Sequence, residues 1–268
     1  MHKLDDRRDG WEPLNGLSQT ELGVGIVIGA IFMGVFVSTI VQNKSLTSKQ
    51  ICSANEKRIG IAILQYTEDY DGVLPNRGRG PLGGYPSWKS AISIYLSSDT
   101  PGVFRCPSNP RRMESDFDER APISYAANRG NGNNEPFVDP GDKLASVPLS
   151  RIKDPSRTIG IVESTARCTD MNVTNSDMYS QPTGSGTKGN LFAGHGGCSN
   201  YLFIDGHVQT MKPLETLDQA DGGSGTVNMW TIDLSSFAAP RIADQSDATG
   251  ATVLKYATAR YANINNSQ

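Results

Sequence analysis

Residues 22–41 read LGVGIVIGAIFMGVFVSTIV, 20 consecutive positions without a charge. As a helix this run extends ~30 Å, the thickness of a bilayer's hydrocarbon core. A removable secretory signal has a shorter apolar region followed by a small-residue cleavage site. Here the run is long and QNKS follows it. The stretch therefore predicts a membrane-spanning helix that stays on the protein. Flanking bases do not set its orientation. Lys3, Arg7 and Arg8 stand upstream, and Lys44, Lys49, Lys57 and Arg58 stand downstream.

Downstream, the helix is predicted to continue. Residues 49–70 read KQICSANEKRIGIAILQYTEDY. Ile51, Asn55, Ile59, Ile63, Tyr66 and Tyr70 fall on one helical stripe with charges elsewhere. Gly72 is the expected C-cap and Pro75 forbids continuation. The expectation is one helix over 17–70, apolar at first and amphipathic where a folded head packs on it.

Upstream, Gly16 is followed by LSQTE, so Glu21 is fifth after the glycine at the edge of the apolar run. A carboxylate at the start of a membrane helix is costly unless paired. This arrangement resembles the cleavage site of type IV prepilins and pseudopilins. The resemblance implies that a prepilin peptidase cuts between Gly16 and Leu17 and that the new terminal amine is methylated. It also implies that the apolar helix packs with other pilin-like subunits. Glu21 would then meet the N-terminal ammonium of a neighbouring subunit and set the axial register. Leu17 stands where that family most often has Phe.

The chain has 268 residues and a formal charge of −3, with no basic patch, and this excludes nucleic acid as an expected partner. Gly and Pro fall mostly after residue 70, which favours turns and short strands there. Cys52, Cys106, Cys168 and Cys198 form no C-x-x-C pair. Beyond a membrane span they predict two disulfides, with three pairings open.

Within the head, residues 158–163 (TIGIVE) read as a strand. Residues 200–204, then Asp205-Gly206, then 207–211 read as a hairpin with a two-residue type I′ turn. Short strands are also expected at 103–105 and 226–233. The fold class expected is α+β, pilin-like: a long N-terminal helix packed on an antiparallel β-sheet with long loops. The organisation expected is a leader at 1–16, a membrane or filament-core helix at 17–42 and an amphipathic helix at 43–72. A head at 73–234 and a C-terminal extension at 235–268 follow.

A second resemblance covers residues 16–212 by order of motifs. The run from Cys52 to Pro75, FRCPS at 104–108, SYAAN at 124–128, IKDPSRTI at 152–159 with Glu163, and HGGCSNYLFIDGHV at 195–208 succeed one another. They are similar to a prepilin-type family named for a motif of His, nine residues and Asp-Gly, matched here by His195, Asp205 and Gly206. Gly194 stands where that family commonly has Arg. Cys52 and Cys106 fall in the family pattern, whereas Cys168 and Cys198 fall outside it. Matching like with like pairs Cys52 with Cys106 and Cys168 with Cys198.

His195, Asp205 and His207, with Glu163, offer a two-histidine, carboxylate ligand set. Turn chemistry already accounts for Asp205, so the expectation is structural, with His195 bonded to the Asp205-Gly206 turn and no metal. No nucleophile elbow, H-E-x-x-H or phosphate loop is present. These readings imply no cofactor and no catalysis. They imply a single-pass inner-membrane subunit with its head in the periplasm or on the cell surface. The competing expectation is a singly anchored binding or metal-dependent hydrolytic domain that does not polymerise.

Overall fold

A computed structural model describes residues 19–77, 87–96, 100–109, 124–130, 134–138, 147–164, 170–171, 191–221 and 223–237. Within 19–46 the described side chains are those of the exposed Val27, Ala30 and Met33. The leader, the Gly16–Leu17 bond, the Glu21 side chain, Cys168 and residues 238–268 therefore lie outside the described residues. The chain divides into two units, Met1–Lys44 and Ser45–Gln268.

Helix α1 spans Gln19–Asp69. Among the described residues no helix is long and apolar enough to cross a membrane. Most side chains of 22–41 are outside that set. The helix ends as its sequence dictates. Asp71 (φ 53°) and Gly72 (φ 75°) turn left-handed, and Gly72 N donates to Thr67 O at 2.8 Å. This six-to-one bond closes the last turn. The left-handed cap therefore begins one residue before the expected Gly72.

The head is α+β. After α1 come two short helices, α2 (Trp88–Ile92) and α3 (Thr100–Val103). The strands are β1 (Tyr125–Asn128), β2 (Ile159–Glu163), β3 (Asp170–Met171), β4 (Ser199–Phe203) and β5 (Val208–Met211). Their order is β3-β1-β2-β4-β5. The pairs β1/β2, β2/β4 and β4/β5 are antiparallel, and only the two-residue β3 joins β1 in parallel.

Both sheet faces are covered, which explains why β1, β2 and β4 are buried at every position. On one face Cys52, Ile59, Ala62 and Ile63 of α1 join Tyr125, Ala127, Ile161 and Leu202. On the other, Ala126, Val162, Tyr201 and Phe203 meet Leu217, Trp230 and Phe237. Ile159 and Ile161 would share a face in a regular strand. A register shift between them puts Ile159 in the Trp230 cluster instead.

Three expectations are corrected. Residues 103–105 do not form a strand, since Val103 ends α3 and Arg105 N donates back to Gly102 O. Residues 226–233 form turns, because side chains replace a ladder there. Asn228 Oδ1 accepts from Trp230 N at 2.9 Å, and Asp221 accepts from Asn228 Nδ2 at 2.7 Å and from Phe237 N at 3.0 Å. At the β4–β5 hairpin only Gly206 has positive φ (85°). Gly206 N bonds Phe203 O and Phe203 N bonds His207 O, both at 2.9 Å. This is a three-residue loop with the glycine as its bulge, not a type I′ turn.

Candidate functional site

The helix stripe that enters the core differs from the expected one at its edges. Ile51 and Tyr70 are exposed (43% and 49%), while Cys52, Glu56 and Thr67 are buried. Cys52 and Glu56 are four apart and therefore stack on one face. Asn55 Nδ2 donates to Arg105 O at 2.9 Å, which fixes the residue before Cys106. Tyr125 Oη donates to Cys52 O at 3.2 Å. These contacts seat the Cys52–Cys106 disulfide, whose cysteines are 54 apart in sequence. The expected first bridge is present. Cys198 is a free, half-buried thiol, and its expected partner Cys168 is outside the described residues.

Glu163 shares strand parity with Ile161, so it points to the α1 side of the sheet. His195 approaches from the loop before β4. Gly196 (φ 69°) and Gly197 (φ 82°) are both left-handed there. His195 and Cys198 exchange backbone bonds across them at 3.2 and 3.4 Å. Positive φ at both central residues is the requirement of a type I′ turn, met by Gly196-Gly197 and not by Asp205-Gly206. A Cβ at Gly194 would overlap the Phe192 ring. Glycine there lets Phe192 pack edge-on against His195, 5.4 Å between ring centres.

The result is a sealed polar cluster. His195 Nε2 lies 2.9 Å from Glu163 Oε1 and 3.8 Å from Cys106 Sγ. A carboxylate partner assigns the ring proton to Nε2. Glu163 Oε2 accepts from Asn200 N at 2.8 Å and from Ser199 Oγ at 3.4 Å, and Asn200 Nδ2 reaches Oε1 at 3.3 Å. Cys52, Cys106 and Glu163 are at most 1% exposed, and His195 is 7% exposed. One sulfur from each cysteine, a Glu163 oxygen and a His195 nitrogen lie within 4.8 Å of one another.

Further polar atoms are buried beside it without partners: both carboxylate oxygens of Glu56 and His195 Nδ1. Burial, then the charge of Glu163, hold the Glu56 carboxyl well above the usual carboxylate range. Burial likewise raises the Tyr125 and Tyr201 phenols.

His195 does not partner the Asp205-Gly206 turn, which corrects the sequence expectation. Asp205 Oδ1 instead takes His207 Nδ1 at 2.6 Å and His207 N at 3.1 Å. The His207 ring stacks on Phe203 with centroids 4.3 Å apart. The four-residue ligand set thus separates into a buried Glu163–His195 pair and a half-exposed Asp205–His207 pair. Sequence reading missed Glu56 by assuming that helix charges face water. Its place four residues after Cys52 and three before Ile59, inside the apolar stripe, is the signal that finds it.

The chain matches no protein-family model, no curated protein and no solved structure. Fold and site define an α+β head with a long N-terminal helix and a buried Glu–His pair beside a disulfide.

Proposed function

We infer that this chain is a structural subunit of a type IV pilus-like or type II secretion pseudopilus-like assembly. After leader cleavage, residues 17–42 anchor it in the inner membrane and pack with other pilin-like subunits. The head stands in the periplasm or on the cell surface. One observation carries the reading: α1 runs unbroken from Gln19 to Asp69. The apolar run 22–41 and the Cys52–Ile63 face on which the head core is built are therefore parts of one helix. The Gly16-to-Glu21 spacing and the order of motifs from Cys52 to His207 add support. The disulfide fits an oxidising compartment. Burial of the Glu163–His195 pair favours a structural role over a catalytic one.

The N-terminus of the protein from its own cells tests this. Mass spectrometry should find a chain starting at Leu17, N-methylated. Its formal charge would be −2, because residues 1–16 remove three bases and four acids from a total of −3. Recovery of only the intact Met1 chain from cells with active prepilin peptidase would overturn it.

A further inference from the structure

The Cys52–Cys106 disulfide faces two further donors, and together the four side chains form a ligand set. Glu163 and His195 each offer one atom, all four donor atoms lie within 4.8 Å, and all four residues are buried. Two thiolates, an imidazole and a carboxylate suit a four-coordinate, borderline-soft cation, and zinc above all. Four segments supply them: α1 gives Cys52, the stretch after α3 gives Cys106, β2 gives Glu163 and the turn before β4 gives His195. The fold that makes the disulfide therefore also assembles the remaining ligands.

We propose that the reduced head binds one Zn²⁺ through Cys52, Cys106, Glu163 and His195, so that this core point has two interchangeable cross-links. A dithiol reductant connects them. It donates two electrons to the Cys52–Cys106 bond and becomes a disulfide itself. The two cysteine sulfurs take up Zn²⁺ as thiolates, and two protons go to solvent. Zinc with two thiolates is neutral, as is the disulfide it replaces. The exchange therefore adds no net charge to a core that already buries Glu56 and Glu163. Zinc–sulfur bonds of ~2.3 Å put two tetrahedral thiolates ~3.8 Å apart, within reach of side-chain rotation once the bond is open. The ring proton must move to Nδ1 to free Nε2 for the metal. Nδ1 is the buried nitrogen that has no partner in the disulfide form. A chain folding before its cysteines are oxidised gains its core cross-link from the metal; exchange with a disulfide oxidant then forms the Cys52–Cys106 bond, reduces that oxidant to its dithiol with two protons from solvent, and releases Zn²⁺.

Cobalt is the probe. The full chain in detergent is first isolated with its bridge, reduced with dithiothreitol, desalted without oxygen and titrated with Co²⁺. One Co²⁺ per chain should bind, with a thiolate-to-cobalt charge-transfer band and the intense ligand-field bands of a tetrahedral site. Zn²⁺ should displace it, and the oxidised chain should give neither band. His195→Ala and Glu163→Gln should each weaken binding at least ~10-fold, the scale on which even outer partners of metal ligands act. Cys198→Ala should leave both bands unchanged. A variant that fails to form the Cys52–Cys106 bridge when oxidised has misfolded, and His195→Asn then takes its place. A reduced chain that binds no Co²⁺, or bands that survive loss of His195 and Glu163, would overturn the proposal.

Discussion

His195 Nε2 stands 2.9 Å from Glu163 Oε1 with both side chains shielded from water (1% and 0% exposed). The pair ties the glycine turn before β4 to the end of β2, and Asn200 N holds the other carboxylate oxygen at 2.8 Å. Removing one partner leaves the other buried and short of hydrogen bonds. In the oxidised full chain, His195→Ala and Glu163→Gln should each cost roughly 2–4 kcal/mol. Their double mutant should fall short of the sum by ~1–2 kcal/mol. His195→Ala with Asp205→Asn should instead add within ~0.5 kcal/mol, because these residues share no partner. Urea unfolding of the four-variant cycles measures both.

Much of the head was legible locally. The β-branched run ending at Glu163 and the aromatic run before Asp205 gave β2 and the β4–β5 hairpin to within about a residue, because strand pattern and turn chemistry are short-range. Residues 226–233 misled because their backbone is held by Asn228 and Asp221, which no strand pattern reveals. Glu163 and His195 were both candidates, but their meeting needs a sheet that brings residues 32 apart together. The choice of Asp205 over Glu163 as His195's partner followed sequence proximity, and topology decided otherwise.

The Cys52–Cys106 bridge closes a loop with a sequence separation of 54. By chain entropy alone such a loop is worth about 4 kcal/mol. Cys52→Ala with Cys106→Ala should lower the stability of metal-free protein by roughly 2–5 kcal/mol, read as a fall in the urea midpoint. Peptide mapping without reductant should link Cys52 to Cys106. A double variant as stable as the parent would remove the bridge from the account of the head's stability.

Gly60 sets the spacing between α1 and the β4–β5 hairpin. A Cβ there would come within 2.7 Å of Leu202 Cδ1 and 3.3 Å of Gly206 Cα. The leucine tip can move, but the hairpin backbone cannot without shifting Phe203 and His207. Gly60→Val should destabilise the head by roughly 1–3 kcal/mol despite leaving a helical glycine behind. Gly206→Ala meets a left-handed φ of 85° and the Leu64 side chain, and should cost at least ~1 kcal/mol. Thermal unfolding of both variants checks the pair.

Glu21 belongs to the unit Met1–Lys44, and the head to the unit Ser45–Gln268. On the assembly reading its work is done against a neighbouring subunit's terminal ammonium. Glu21→Ala should leave head stability within about 0.5 kcal/mol of the parent. It should abolish incorporation into the filament or pseudopilus, scored by subunit cross-linking in cells. Unchanged incorporation would count against Glu21 as the register-setting residue.

Glu56 gives the head a pH dependence of definite sign. Its carboxyl is fully buried, has no hydrogen-bond partner and faces the field of Glu163, so its folded pKa lies well above the usual carboxylate range. The folded state therefore keeps a proton that the unfolded chain has released. Stability from this group is complete below the unfolded pKa, near 4.3, and is lost as pH rises through the folded pKa. Within that window the loss approaches ~1.4 kcal/mol per pH unit, the value for one proton. Glu56→Gln keeps the shape and removes the titration. It should flatten the profile and leave the variant more stable than the parent toward neutral pH, while matching it within ~1 kcal/mol at pH 4. Urea unfolding of both chains from pH 4 to 8, with the bridge intact, reads the two slopes. Parallel profiles would mean that Glu56 is ionised in the folded head and has found a partner for its charge.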